Sequence, residues 1–229
     1  MADDQIPKAG NPKRLHFLHI GKAAGTQIRY LSKQVNRQQR DWKIVKHAHT
    51  KHLRDIPPDA AYFFSIRDPL TRFVSGFYSR KRMGRPRLNH RWNDHEKWVF
   101  NTFDHANDLA EALFAEGRPG LDATAAMTGV GHLAQNQIDW FESCGALFAI
   151  RPPVWIVRQE HFDDDWATLM RRIGFAGTFA TAEDEIRAHR NDYTGIPPLS
   201  PLAKRNLAAW YARDIAFRAL CEDWMASNA

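Results

Sequence analysis

Apolar positions along the chain fall into two spacings. Residues 15–20 (LHFLHI), 62–66 (YFFSI) and 154–158 (VWIVR) are short, largely apolar runs with the length and residue types of buried strands, and residues 43–49 (KIVKHAH) read as another. Between them the spacing changes to three and four. Ile28, Leu31 and Val35 follow the first run, and Leu70, Phe73, Val74 and Phe77 follow the third, each set marking a helix. Trp166, Leu169, Met170 and Ile173 mark a further helix, opened by three aspartates at 163–165 and closed near Arg171 and Arg172, as a helix dipole favours. Pro201 starts a last helix with Leu207, Trp210, Phe217, Leu220 and Trp224 as its buried stripe. Pro57 and Pro58 break the chain before the third strand, and residues 89–117 are polar, Trp-rich and helical in character. Strands alternating with helices predict an α/β protein, three layers around a mainly parallel sheet. With 229 residues and no internal repeat, the chain reads as a single domain over 1–229, with residues 1–13 a flexible N-terminal stretch.

Candidate chemistry lies where the first strand meets the first helix: Gly21-Lys22-Ala23-Ala24-Gly25-Thr26-Gln27. A strand feeding a tight loop and a helix N-terminus is how proteins cradle a phosphate or sulfate. The two glycines are expected to let the backbone turn and approach an anion, Lys22 to add a point charge, and Thr26 a hydroxyl donor. In the Walker A pattern the Lys follows the second Gly, whereas Lys22 follows the first. That spacing, and the absence of a clear acidic magnesium ligand after a strand, disfavour a nucleotide-dependent kinase.

A second strand–turn–helix follows in residues 63–80 (FFSIRDPLTRFVSGFYSR). Arg67 ends the strand, where open α/β sheets bind ligands; Asp68 suits a helix cap and Pro69 its first turn. Ser75 and Ser79 lie one turn apart, off the apolar face. Together FLHIGKAAGT and SIRDPLTRFVSGFYS resemble the two cofactor-binding signatures of sulfotransferases that use 3′-phosphoadenosine 5′-phosphosulfate (PAPS). The likeness is to the carbohydrate branch, which includes the uronyl 2-O-sulfotransferases and their bacterial relatives. It implies a P-loop-NTPase-like sulfotransferase fold. It further implies Gly21, Lys22, Ala23, Ala24, Gly25, Thr26 and Gln27 around the 5′-phosphosulfate, with Arg67 and Ser75 on the 3′-phosphate. Residues 80–120 would be an acceptor-recognition insertion. Gln27 departs from the family, which often has Ser there, and Tyr193 in Arg190-Asn191-Asp192-Tyr193 stands where relatives have Ser. The glycine-rich C-terminal segment of the phenol and steroid branch is missing.

Sulfuryl transfer to a hydroxyl needs a base for the proton and cations for charge growing on the leaving group, and it requires no metal. Lys22 is the candidate for the leaving group. His47-Ala48-His49 follows the second strand, and residues i and i+2 of a strand share a face, so both imidazoles are expected in one cleft. The family's His-x-His at this place implies His49 as base and His47 as a supporting or acceptor-binding residue. With His52 nearby the pair also invites a metal reading, but neither a third ligand nor a second shell can be named. Gly131-His132-Leu133-Ala134-Gln135-Asn136-Gln137 resembles a short His/Gln segment near the acceptor site of related enzymes. A non-catalytic anion-binding module is the rival outside enzymes.

Composition fits an enzyme with a sizeable core: 44% of residues are hydrophobic, including eight Trp and fourteen Phe. No apolar run approaches the roughly 20 residues of a membrane span, and the first residues lack the apolar stretch of a secretory signal. Two cysteines suit a reducing cytosol and leave no disulfide framework. A cytoplasmic, bacterial protein is the expectation. The net charge of +6 favours anionic ligands, such as PAPS and an acidic glycan or glycolipid acceptor. The run RKRMGRPRLNHR at 80–91 holds six Lys/Arg and no acid. It lacks the interleaved aromatics of a nucleic-acid platform, so nucleic acid is not an expected partner.

Overall fold

The computed structural model describes residues 12–86, 88–179 and 193–229. Among these residues four strands, β1 (Lys13–Leu18), β2 (Trp42–Lys46), β3 (Ala61–Ile66) and β4 (Ile156–Arg158), form one all-parallel sheet in the order β2-β1-β3-β4. Leu15 pairs with Ile44, Phe17 with Phe63 and Phe64 with Ile156. Leu15, Phe17, Leu18, Phe63 and Phe64 are fully buried, because a parallel sheet is covered on both faces by the helices that connect its strands.

The helices are α1 (Gly25–Gln38), α2 (Pro69–Lys81), α3 (Asp94–Thr102), α4 (Ala106–Ala112), α5 (Arg118–Gly129), α6 (Gly131–Ala134), α7 (Phe162–Arg172), α8 (Pro201–Trp210) and α9 (Ala212–Ser227). Asp68 caps α2 as its sequence predicts, its Oδ1 accepting from the Thr71 N–H at 2.9 Å with Pro69 next. In α7 the stripe of Trp166, Leu169, Met170 and Ile173 is buried as expected. One buried cluster joins the sheet with α1, α7 and α9; a second joins Phe73 and Phe77 of α2 with Val99, Leu109, Met127 and Leu207 of the later helices. No helix among the described residues is long and apolar enough to cross a membrane.

Three expectations need correction. The first strand runs over Lys13–Leu18 and not 15–20: Lys13 pairs with Trp42 and so is no part of a flexible N-terminal stretch, and His19 and Ile20 lie beyond the strand. The second strand ends at Lys46 and not at residue 49. Its neighbour β1 stops at Leu18, so after the His47 N–H bonds the Phe17 carbonyl at 3.3 Å the ladder has no further rungs to offer. The last helix is two, α8 and α9, meeting at Tyr211. That break resets the helical phase: Phe217, Cys221 and Met225 are buried, while Leu220, expected inside, is 44% exposed.

Candidate active site

β1 and β3 are neighbours whose onward connections diverge, β1 through α1 to β2 and β3 through the helical region to β4. The point between their carboxyl ends is a topological switch point, where open α/β sheets take ligands. Both sequence motifs end there.

The glycines of the loop do not supply the turn. Left-handed φ values fall on Lys22 (67°) and Ala24 (55°), residues with side chains, while Gly21 and Gly25 keep ordinary ones. Such a conformation costs an L-residue about 1–2 kcal/mol, and the surroundings hold it in place. Arg72 Nε donates to the Gly21 carbonyl at 3.0 Å, Arg67 Nη1 to that of Lys22 at 3.4 Å, and Ser65 Oγ to that of Ala23 at 2.5 Å. Gln159 Oε1 accepts the Ala24 N–H at 3.2 Å. With these carbonyls bonded inward, α1 begins without a side-chain cap and without an acid in its first turn. The positive end of its dipole is therefore offset by no carboxylate of its own first turn, as suits a helix start that meets an anion.

Gly25 is required for space. A Cβ on it would lie 1.7 Å from His19 Nε2, whereas one on Gly21 would make only ordinary contacts at 3.8 Å. Gly25→Ala is therefore expected to lower stability by about 1–3 kcal/mol, read as an earlier denaturant midpoint with an unchanged m-value. An unchanged midpoint would refute the close seating of His19 on the loop.

Positive charge gathers here. Burial, then the nearby Arg82, Arg67 and Arg72, pull the Lys22 ammonium down to about 8. Arg67 is anchored through its main chain: its N–H donates to Gln137 Oε1 and its carbonyl accepts from Gln137 Nε2, both at 2.9 Å. Its side chain bonds Thr71 Oγ1 at 3.0 Å, and among the described residues it forms no ion pair with Asp68, which instead faces Arg218. Ser75 lies on α2 one turn after Arg72 and is buried.

Arg72 is a site residue that the sequence reading missed. It is 2% exposed, donates to the Gly21 carbonyl and to that of Gln135 at 2.8 Å, and stands 3.6 Å from Asp214. Asp214 is fully buried and accepts from the Gln137 N–H at 2.5 Å. Burial pushes the Asp214 carboxyl up and the Arg72 guanidinium down, each against the pull of the other. The signal was available: Arg72 sits within the stripe of Pro69, Phe73, Gly76 and Phe77, and Asp214 within that of Phe217 and Cys221. A charge in an apolar stripe asks for a buried partner. Ser65 and Gln159 left no such sign.

The histidines separate. His47 joins His16, Nε2 to Nδ1 at 2.8 Å, and does not share a cleft face with His49, because strand geometry ends before either. His49 is exposed and its ring packs against that of His19, centroids 3.8 Å apart and planes tilted by 40°; His132 stands edge-on at 6.4 Å. His49 Nδ1 lies 3.2 Å from the His19 carbonyl. A carbonyl only accepts, so Nδ1 carries the proton and Nε2 the lone pair. Partial desolvation lowers the His49 pKa, the His19 carbonyl opposing it and Lys46, Lys22 and Arg29 adding to it. His132, from the His/Gln segment, is pulled to about 3 by burial and then by Lys22 and His49.

The basic run divides. Arg80 holds Glu96 with two bonds at 2.6 Å and Lys81 holds Asp104, both fixing the helices beyond α2, while Arg82 is coupled to Lys22. Arg87, residues 1–11 and Arg190, Asn191 and Asp192 lie outside the described residues. No group of three or more His, Cys, Asp or Glu among the described residues is placed to hold a metal ion. No family model, no curated protein and no solved structure matches the chain.

Proposed function

We propose that the protein is a PAPS-dependent sulfotransferase, a three-layer P-loop-like fold that moves a sulfuryl group to a hydroxyl of a glycan or glycolipid. The observation that carries this reading is the gathering of Lys22, Arg67, Arg72 and Arg82 about an anion-cradling loop beside His49, a histidine whose bare Nε2 suits a base. The loop amides and Lys22 take the 5′-phosphosulfate; Arg67 and Ser75 take the 3′-phosphate. His49 Nε2 accepts the proton of the attacking hydroxyl as the new O–S bond forms. The bridging S–O bond breaks, and Lys22 meets the charge left on the phosphate oxygen.

The test is calorimetric titration with 3′-phosphoadenosine 5′-phosphate, the desulfated product, against ATP with magnesium. Tight binding of the product is expected, lost in Arg67→Ala, with ATP far weaker. Affinity is also expected to fall as pH rises above 8. Lys22 in the free protein titrates near 8 and its charged form is the one that binds, so deprotonation removes the competent state. Preference for ATP, or indifference to Arg67, would return the chain to the wider phosphate-loop class.

A further inference from the structure

His19 stands between the two halves of the site. The residue is 7% exposed; its ring stacks on Phe17 at 5.2 Å and packs at a 40° tilt against His49, centroids 3.8 Å apart. Its Nε2 fills the space over Gly25, the first residue of α1, and its carbonyl takes the His49 Nδ1 proton. Gly25 belongs to the anion loop and His49 to the segment after β2, so one buried residue touches both.

We propose that His19 is a positioning residue that joins the anion loop to the base: by filling the space over Gly25 and backing the His49 ring, it makes the seating of the loop and the orientation of His49 one packing unit. The role of His49 as base rests on the sulfotransferase reading; the packing does not. A neutral ring is what this place needs, since a second charge beside His49 would oppose its protonation. Burial, then His49 and the cations Lys46 and Arg29, hold the His19 imidazole down to about 2, against the main-chain hydrogen bond to His47. The ring is therefore neutral near neutral pH.

Three readings test this. Nitrogen-15 NMR of the His49 ring, assigned by its loss in His49→Ala, is expected to show protonated Nδ1 and bare Nε2 in the native chain. In His19→Ala it should shift toward the ordinary mixture, with binding of 3′-phosphoadenosine 5′-phosphate weakened about tenfold. His19→Phe, which keeps the ring but neither nitrogen, should restore both. In the double variant Gly25→Ala/His19→Ala the new methyl enters the space the ring has left, so stability and affinity should recover above Gly25→Ala alone, a coupling of opposite sign to additivity. Additive losses in the double variant, or a His49 ring indifferent to His19→Ala, would overturn the proposal. If the native chain binds no product nucleotide, the sulfotransferase reading fails, while the ring spectrum and the double variant still decide the coupling. Should His19→Ala not fold, the ring spectrum is taken on His19→Gln, which keeps bulk without an aromatic face.

Discussion

His49→Ala is expected to slow sulfuryl transfer by about 10²–10⁴-fold while binding of 3′-phosphoadenosine 5′-phosphate stays near the native value. The split follows from the geometry. His49 touches neither Lys22 nor Arg67 by any hydrogen bond; its fixed partner is the His19 carbonyl, which leaves Nε2 for a proton. The rate is read with sulfur-labelled donor against a panel of hydroxyl-bearing carbohydrates. Its pH profile should be bell-shaped. A base must begin neutral, and partial desolvation lowers the His49 pKa, so activity falls away only on the acid side of about 6.5, the unperturbed value. Lys22 sets the other limb: it starts near 8 in the free protein and a bound anion raises it, so the alkaline loss lies above 8. A variant that keeps the native rate and profile would remove His49 from the chemistry.

The largest effect on stability should come from Arg72→Ala, about 3–5 kcal/mol. That is a large share of the roughly 5–15 kcal/mol by which domains exceed their unfolded chains. Removing Arg72 strands the buried Asp214 carboxylate and unbinds the Gly21 and Gln135 carbonyls together. Since burial outweighs attraction for both partners, the pair itself is not the source of stability; an orphaned partner is the cost. Arg72→Met/Asp214→Asn should therefore regain much of the loss, the asparagine still accepting from the Gln137 N–H. Nucleotide affinity should not return with it, because the Gly21 carbonyl stays unclamped. Chemical denaturation and calorimetry on the three proteins separate these outcomes. A small loss in Arg72→Ala would mean that water reaches Asp214.

Much of this architecture is written locally. The apolar runs at 15–20 and 62–66 mark the buried strands β1 and β3, although β1 stops at Leu18, and Asp68-Pro69 starts α2 as its capping chemistry predicts. Arg67 follows the end of β3, as its place in the motif predicts, and there its guanidinium meets the Lys22 carbonyl of the loop. Other features depend on partners far along the chain. Whether 43–49 continues as strand depends on where β1 stops, which no residue in that segment records. The phase of the last helix depends on a break at Tyr211, and the expected stripe ran straight through it. The turn itself was misread: glycine is the usual bearer of a left-handed φ, yet here Lys22 and Ala24 carry it under restraint from Arg72, Arg67 and Ser65, residues 42 to 51 positions away. Gly25 matters for a reason visible only once His19 is folded over it.

The crowd of cations around the loop has a practical consequence. Like charges confined together raise the free energy of the native chain, and an anion that neutralises them lowers it by mass action, about 2.7 kcal/mol at a hundred times its dissociation constant. The melting temperature of this protein should accordingly report on its solvent. Phosphate or sulfate buffers would mask a weak ligand by occupying the cradle first, and a screen for the natural donor belongs in a buffer of bulky, singly charged anions.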